Sequence, residues 1–375
     1  MSGLNILMLN HEFPPVGGGA SPVTLELCRN LVRKGNCVDV VTMHFKSTPR
    51  FECLDGINVY RTPALRKRAD VCYTHELATY LPGALCKTLR LVKKNRYDII
   101  HCHFMVPGAP LAWLASRFGH IPFLVTCHGT DVPGHNPERF NFVHRLIAPA
   151  WRFLAKRASL LVSPSEFLRA SILRACPQAN VCVIPNGIAL DRFTPANKTK
   201  SILLCSRILA FKGFQHVIEA VKDIELDWRI NIIGEGPFLP ELKRLAEASK
   251  TPVNFTGWLD KNSEEFIRLH NESSLFVFPS QAENFPTVLL EAMASKMAII
   301  TSDAGGCREI VGETALIVQP GDIDGIRRSI IRLIENQSER EGLADAAYKR
   351  VHEFSWDSIA GKYIDTYRRL IEKNT

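Results

Sequence analysis

Long hydrophobic runs are missing from this 375-residue chain, and no stretch approaches the roughly 18 uninterrupted apolar residues that cross a bilayer. The opening Met1-Ser2-Gly3-Leu4-Asn5 lacks the basic region of a secretory leader, and residues 6–9 are too short for its apolar core. The expectation is a soluble, cytoplasmic protein, at most peripheral on the cytoplasmic membrane face. Paired cysteine motifs are missing too. The 11 cysteines are scattered with no Cys-x-x-Cys, which argues against a disulfide framework or zinc ribbon and fits reduced thiols. In His101-Cys102-His103 alternate strand residues point to opposite faces, so only the two histidines share a side; no metal site is expected there or elsewhere. Gly-x-Gly-x-x-Gly is absent after the first strand, which disfavours an NAD enzyme. There is no tandem repeat and no low-complexity tract.

What is present is the length and composition of an ordinary globular protein of two domains, with 46% hydrophobic and 22% charged residues. Charge is uneven. Residues 1–185 hold 22 Lys and Arg against 11 Asp and Glu, whereas residues 186–375 hold 24 against 27. The basic half concentrates its charge in Arg66-Lys67-Arg68, in Lys87, Arg90, Lys93, Lys94 and Arg96, and in Arg152, Lys156 and Arg157 beside Trp151, Phe153 and Leu154. A solvated helix surface and a face for an anionic membrane both fit such clusters. Nucleic acid fits less well, because no recognised binding motif accompanies the charge.

Short apolar runs at 5–9, 37–42, 58–61, 99–103, 123–127, 160–163 and 181–184 alternate with helical patterns such as 23–34 and 84–95. After Pro185-Asn186-Gly187 a second set of strands follows at 201–206, 229–234, 253–256, 275–279, 298–302 and 315–318, with helices between them and a last helix at 356–373. The alternation predicts an α/β chain with two doubly wound, mostly parallel sheets, divided near 185–200.

Chemistry gathers where these strands end. Glu283 and Glu291 bracket Glu-Asn-Phe-Pro-Thr-Val-Leu-Leu-Glu after the run Leu275 to Ser280, a strand, a tight turn and a helix start with Pro286 at its first position. Eight helical residues rise about 12 Å, too far for the two glutamates to flank one bond as acid and base. The spacing suits two ends of one elongated ligand, with the helix N-terminus between them for phosphate. Arg207 and Lys212, five apart after the second domain's first strand, suit a diphosphate. Gly234-Glu235-Gly236-Pro237, Thr256-Gly257-Trp258-Leu259 and Gly305-Gly306 also follow strands. In the first domain Pro14-Pro15-Val16-Gly17-Gly18-Gly19 lets backbone approach a ligand. His103 and the Cys127-His128-Gly129-Thr130-Asp131 segment end the fourth and fifth strands, and His128 with Asp131 suits sugar hydroxyls.

These motifs together resemble a family 4 glycosyltransferase: Pro-Pro-x-Gly-Gly-Gly, Asp98 to His103, His-Gly-Thr-Asp, Pro-Asn-Gly-Ile, Arg207 with Lys212-Gly213, Gly-x-Gly-Pro, Glu-x7-Glu with Leu-Leu-Glu-Ala-Met-Ala, Gly-Gly-x-x-Glu-Ile-Val and Phe-Ser-Trp-Asp. The resemblance runs over nearly the whole chain. It implies the GT-B fold, two doubly wound Rossmann-like domains facing each other across a cleft, with residues 1–185 for the acceptor, 186–355 for the donor and a helix at 356–375 crossing back to the first. It also implies transfer from a nucleotide diphosphate sugar with retention; with no metal cluster evident in the sequence, no metal or other cofactor is expected. By position, Glu291 would hold the donor ribose and Glu283 the sugar hydroxyls, while Arg207 and Lys212 neutralise the diphosphate. Backbone of Asn284, Phe285, Pro286, Thr287 and Val288 and of Gly18 and Gly19 would border donor oxygens, and Glu235, Trp258 and Leu259 the base. His128 would meet the transferred sugar, with His103 and Asp131 toward the acceptor. Asn284 and Pro286 stand where many relatives carry glycine. A lipid-linked or polysaccharide acceptor in cell-envelope glycan synthesis is the leading expectation. The same chemistry on a soluble small molecule, or a non-catalytic sugar-nucleotide binder, are the alternatives.

Overall fold

The computed structural model describes residues 3–69, 72–134 and 137–374, without the side chains of 137–144; Met1 and Ser2, where the leader reading begins, lie outside them. The chain divides into two compact units, Met1–Gly187 with Trp356–Thr375, and Ile188–Ser355.

The first unit holds β1 (Asn5–Leu9), β2 (Cys37–Met43), β3 (Phe51–Leu54), β4 (Ile57–Thr62), β5 (Ile99–His103), β6 (Phe123–Thr126), β7 (Leu160–Ser163) and β8 (Val181–Val183). They form one sheet in the order β3-β4-β2-β1-β5-β6-β7-β8, parallel except for the antiparallel edge pair β3 and β4. The second unit holds β9 (Thr199–Cys205), β10 (Arg229–Ile233), β11 (Val253–Gly257), β12 (Ser273–Phe278), β13 (Ala298–Ser302) and β14 (Ala315–Val318), all parallel in the order β11-β10-β9-β12-β13-β14. The central strands β5, β12 and β13 are buried at every residue. Helices cover both faces, so these strands are near-continuous apolar runs rather than alternating ones.

In such a sheet the strand order reverses beside the first strand, and ligands bind where loops diverge at the carboxyl ends. That edge carries β1, β5 and β6 in the first unit and β9, β12 and β10 in the second. Helix boundaries there differ slightly from expectation. The helix after β12 is Thr287–Ala294, and Pro286 is its N-cap at φ −73° and ψ 103°, one position before the helix. The helix before β5 spans Thr74–Lys94, with Pro82 inside it, ten residues longer at its start than the apolar pattern indicates. Among the described residues no helix is long and apolar enough to cross a membrane.

The last helix, Trp356–Glu372, belongs to the first unit and buries Trp356, Ile359, Tyr363, Ile364, Tyr367 and Leu370. It enters against Gly187, where a Cβ would lie 2.4 Å from the Trp356 indole, so only glycine admits the ring. Its tyrosines reach the sheet. Tyr367 Oη is 2.7 Å from His101 Nδ1, His101 Nε2 is 2.8 Å from Thr126 Oγ1, and that hydroxyl is 3.1 Å from Tyr363 Oη. His101 is fully buried and burial holds its pKa near about 3, so both nitrogens of a neutral ring are satisfied by hydroxyls. Tyr367→Phe strands one of them, at a cost of about 1–3 kcal/mol. Urea unfolding should show a lowered midpoint; an unchanged midpoint would mean that the tyrosine contributes by packing alone.

Candidate functional site

In the second unit the carboxyl ends of β9, β10 and β12 bring most of the expected residues together. Gly213 has φ +77°, and a Cβ there would meet the Pro279 carbonyl at 2.4 Å. This close approach lays the loop after β9 on the end of β12 and brings Lys212 Nζ to 2.5 Å from Glu283 Oε1. Both side chains are largely buried, and the Lys212 ammonium also lies 5.4 Å from the Phe278 ring centroid. Gly305, at φ +54°, packs on the Glu283 carbonyl, where a Cβ would sit at 1.8 Å. Arg207 is exposed, and among the described residues no ion pair holds it. The two expected cations therefore differ: one is free for an anion, the other already neutralises a carboxylate.

Glu291, four residues into the helix that starts at Thr287, is 2% exposed. Its Oε1 accepts from Lys261 Nζ at 2.5 Å, and its Oε2 has no hydrogen-bond partner among the described residues. Lys261, half-exposed, lies two residues beyond Leu259 on the loop after β11. The Gly-Trp-Leu motif marks this loop in the sequence, whereas nothing local marks the lysine. Gly234 and Gly236 are crossed by the backbone of Ser206 and Ile208, where Cβ atoms would lie 1.9 and 2.1 Å from carbonyl oxygens. Glu235 is thereby exposed beside the Arg207 loop, and Ile208 N–H donates to its carbonyl at 2.8 Å. Trp258 is 66% exposed and Leu259 half-buried. Asn284, Phe285, Thr287 and Val288 are half-buried along the turn and first helical residues, with Pro286 buried.

The first unit builds its edge differently, with neutral rings and internal pairs. His103 Nδ1 is 3.0 Å from His128 Nε2, with the rings stacked at 5.2 Å. His103 also stacks on His101 at 4.6 Å, and Phe104 lies between His128 at 4.5 Å and His11 at 4.9 Å. Phe104 adopts φ +67°, a left-handed conformation that a bulky residue holds only when its surroundings enforce it. Asp131 is committed to its own loop. Its Oδ1 accepts from the N–H groups of His128 and Gly129 at 2.9 and 3.0 Å, and its Oδ2 from Met105 N–H at 2.7 Å. Its carboxylate shapes the loop that presents His128 rather than facing sugar hydroxyls.

Two further expectations are altered in this unit. Gly18 N–H donates to Glu12 Oε2 at 3.0 Å, so the amide assigned to a donor oxygen already has an internal carboxylate; Gly19 is the N-cap of the helix Ala20–Arg33. Arg66 does not join a basic face. Its side chain is fully buried, 3.7 Å from Glu12 Oε1, and donates to the carbonyls of Arg68 and Ala69. Lys67, Arg68, Arg90, Lys93, Lys94, Arg96, Arg152, Lys156 and Arg157 are exposed.

Burial depresses the imidazoles: His11 falls to about 3 and His128 to about 4, and His103 lies well below its ordinary value. Protonating the His103–His128 pair would set two N–H groups against each other. These histidines take up protons in the unfolded chain near pH 6.5 but not in the folded one, so the unfolded state binds more protons between about pH 4 and 6.5 and stability rises with pH across that window. Unfolding free energy should therefore be lower at pH 5 than at pH 7.5. His103→Gln should flatten part of the slope, and an unchanged profile in that variant would remove His103 from the account.

Comparison with known proteins gives this geometry its context. Residues 17–192 match the model of Glycosyltransferase Family 4 and residues 189–350 that of Glycosyl transferases group 1. The chain is 26% identical over 322 residues to the putative teichuronic acid biosynthesis glycosyltransferase TuaC of Bacillus subtilis, covering 81% of this chain and 78% of that protein. It is 24% identical to the N-acetyl-alpha-D-glucosaminyl L-malate synthase of Bacillus anthracis, over 94% of each chain. In structure it is similar to Anabaena HepE in complex with UDP-glucose, at a TM-score of 0.75 and 19% identity, over 98% of this chain and 100% of that one. With both halves matched and the two parallel sheets in place, the chain belongs to the family 4 glycosyltransferases of GT-B fold.

Proposed function

We propose that this glycosyltransferase takes its sugar from a nucleotide diphosphate sugar, UDP- or GDP-linked, and transfers it with retention to a hydroxyl of a lipid-linked or polysaccharide acceptor in cell-envelope glycan assembly. The observation that carries the donor half is the array at the carboxyl ends of β9 and β12: Arg207, the Lys212–Glu283 pair and the buried Glu291 around a helix N-terminus. Departure of a nucleoside diphosphate develops negative charge on its phosphate oxygens. Arg207, Lys212 and the N–H groups at the start of the helix stabilise that charge, and one such preorganised donor is typically worth about 3–4 kcal/mol. With two cations supplying this stabilisation, the reaction is read as metal-independent. Glu283 accepts from sugar hydroxyls, the unpartnered Glu291 Oε2 accepts from ribose, and Trp258, Leu259 and Glu235 border the base. His128, held by His103 and the Asp131 loop, meets the transferred sugar, and Gly18 and Gly19 approach donor oxygens once Glu12 releases the Gly18 amide.

Retention follows from attack on the face that the leaving group vacates, with a donor phosphate oxygen taking the acceptor's proton. The complex of HepE with UDP-glucose supports the donor class, and the name of TuaC supports an envelope acceptor. Exposed apolar side chains support it further. Leu114, Phe118, Leu146 and Phe153 are exposed on the helices Gly108–Gly119 and Pro137–Arg157, which pack through Trp113 and Phe153. Arg157 lies over the Phe153 ring at 5.0 Å, with exposed Arg152 and Lys156 beside it. Apolar and basic side chains so interleaved suit an anionic membrane surface. The second reading keeps the chemistry on a soluble acceptor and is favoured by the similarity to the N-acetyl-alpha-D-glucosaminyl L-malate synthase of B. anthracis.

A screen of nucleotide sugars that measures release of free nucleoside diphosphate identifies the donor. With that donor, Glu283→Ala and Arg207→Ala should each lose at least roughly 100-fold in transfer rate; wild-type rates in either variant would overturn the assigned roles. Sedimentation with anionic vesicles separates the two acceptor readings. Binding that is lost at high salt is expected for the membrane-adjacent enzyme, and no binding at low salt favours the soluble acceptor.

A further inference from the structure

We propose that Cys205, His270 and Glu291 form a binding site for a thiophilic divalent cation of the Zn2+ class, and that its occupation excludes the sugar donor. The three residues come from separate elements: the last residue of β9, the helix Glu264–Glu272 and the helix Thr287–Ala294. One ligand atom from each lies within 4.8 Å of the other two, and the residues are 6%, 0% and 2% exposed. No spacing in the sequence announces this convergence. Only the parallel order of β9 beside β12 produces it.

Two of the ligand atoms are unsatisfied where they lie. His270 Nδ1 is 2.9 Å from the Phe266 carbonyl, which can only accept, so Nδ1 carries the hydrogen and Nε2 carries a lone pair. Among the described residues that buried Nε2 has no hydrogen-bond partner, and neither has Glu291 Oε2. A buried polar atom left unpaired costs about 1–3 kcal/mol, and two around one thiol make a donor set that a cation satisfies at once. A thiolate, an imidazole nitrogen and a carboxylate oxygen are ligands that Zn2+ takes in tetrahedral geometry at about 2.0–2.3 Å, which sets neighbouring ligand atoms about 3.5 Å apart. Rotamer adjustments of about 1 Å close the present spacing to that value, leaving the fourth position for water.

The remaining contacts fit the same use. The hydrogen bond from His270 to the Phe266 carbonyl orients the ring and makes Nε2 more basic, as outer-shell partners of metal-bound histidines do. Lys261 on Glu291 Oε1 leaves Oε2 to the cation and is half-exposed, so the cluster lies one side chain below solvent. Burial raises the Cys205 thiol to about 12, and binding must expel its proton: Cys–SH and M2+ give Cys–S–M+ and H+. The charged groups near the thiol and imidazole are Glu291, Lys261 and Arg192. Thiolate and carboxylate offset the two charges of the dication, and the Lys261 ammonium on Glu291 leaves the occupied site with one net positive charge.

Exclusion of the donor rests on the assignment of Glu291 to ribose, because a cation on Oε2 with its bound water would fill the space through which the ribose hydroxyl approaches that oxygen. Purified full-length enzyme titrated with Co2+ provides the test. Wild type should take up one equivalent with a thiolate-to-cobalt charge-transfer band, and Zn2+ should displace it. Cys205→Ser and Cys205→Ala should both lose the band and bind the metal at least about 100-fold more weakly, while retaining basal transfer and losing inhibition by Zn2+. No band in wild type, or a band unchanged in both variants, would overturn the site. If the band depends on Cys205 but neither UDP nor GDP displaces the cobalt, the metal site stands and the ribose role of Glu291 falls.

Discussion

Two carboxylates buried at the carboxyl edge of one sheet require neutralisation, and the arrangement of the second unit follows from how that is met. An unpaired buried carboxylate is costly enough that the group would give up its charge instead. Here each has its own lysine: Lys212 for Glu283 and Lys261 for Glu291. The loop bearing Lys212 is brought over the sheet by Gly213, against which Pro279 leaves no room for a Cβ. Lysine suits the task. Its charge sits on a flexible stem and needs no fixed planar geometry, so it can turn from an internal carboxylate to a ligand phosphate without rebuilding the loop. Arg207, which no ion pair holds among the described residues, offers the rigid fork that recognises an anion from outside.

The first unit solves the opposite problem of keeping polar rings uncharged. His101, His103 and His128 lie in contact and are held neutral by burial. Each has at least one nitrogen placed against a hydroxyl or another ring. Asp131 fixes three backbone amides, and Glu12 holds Gly18 N–H while facing the buried Arg66. Both acids are thus satisfied internally, and the loop around His128 is set before any ligand arrives.

How far the sequence discloses this depends on whether a feature is local. The central strands are legible because burial on both faces makes them unbroken apolar runs; β12 at Ser273–Phe278 is an example. The edge strand β3, Phe51-Glu52-Cys53-Leu54, escapes notice because it is short and half-exposed. Pro82 hides the first half of the helix Thr74–Lys94, since proline inside a helix normally marks an end. Among site residues, Glu283, Arg207 and Lys212 are legible as charged groups in the loops that follow apolar strands, and Glu291 through its spacing from Glu283. Lys261 and the Cys205–His270 contact are not, because they depend on which strands become neighbours. Arg66 misleads for a related reason: three basic residues in a row read as surface, although one of them turns inward to a carboxylate 54 residues earlier.

Glu291 shows why such non-local contacts matter for chemistry. A helix glutamate with both oxygens paired would be a structural residue, and one with both exposed would be solvated surface. This one has Oε1 fixed by Lys261 and, among the described residues, Oε2 buried without a partner. The fixed oxygen removes rotational freedom before binding, so a ligand that reaches Oε2 meets an acceptor already aimed. A ribose hydroxyl and a soft cation make different use of that acceptor. The hydroxyl needs Glu291 alone, whereas the cation also needs the thiol of Cys205 and the lone pair of His270. Replacing Cys205 therefore separates the two occupants without touching the carboxylate they share.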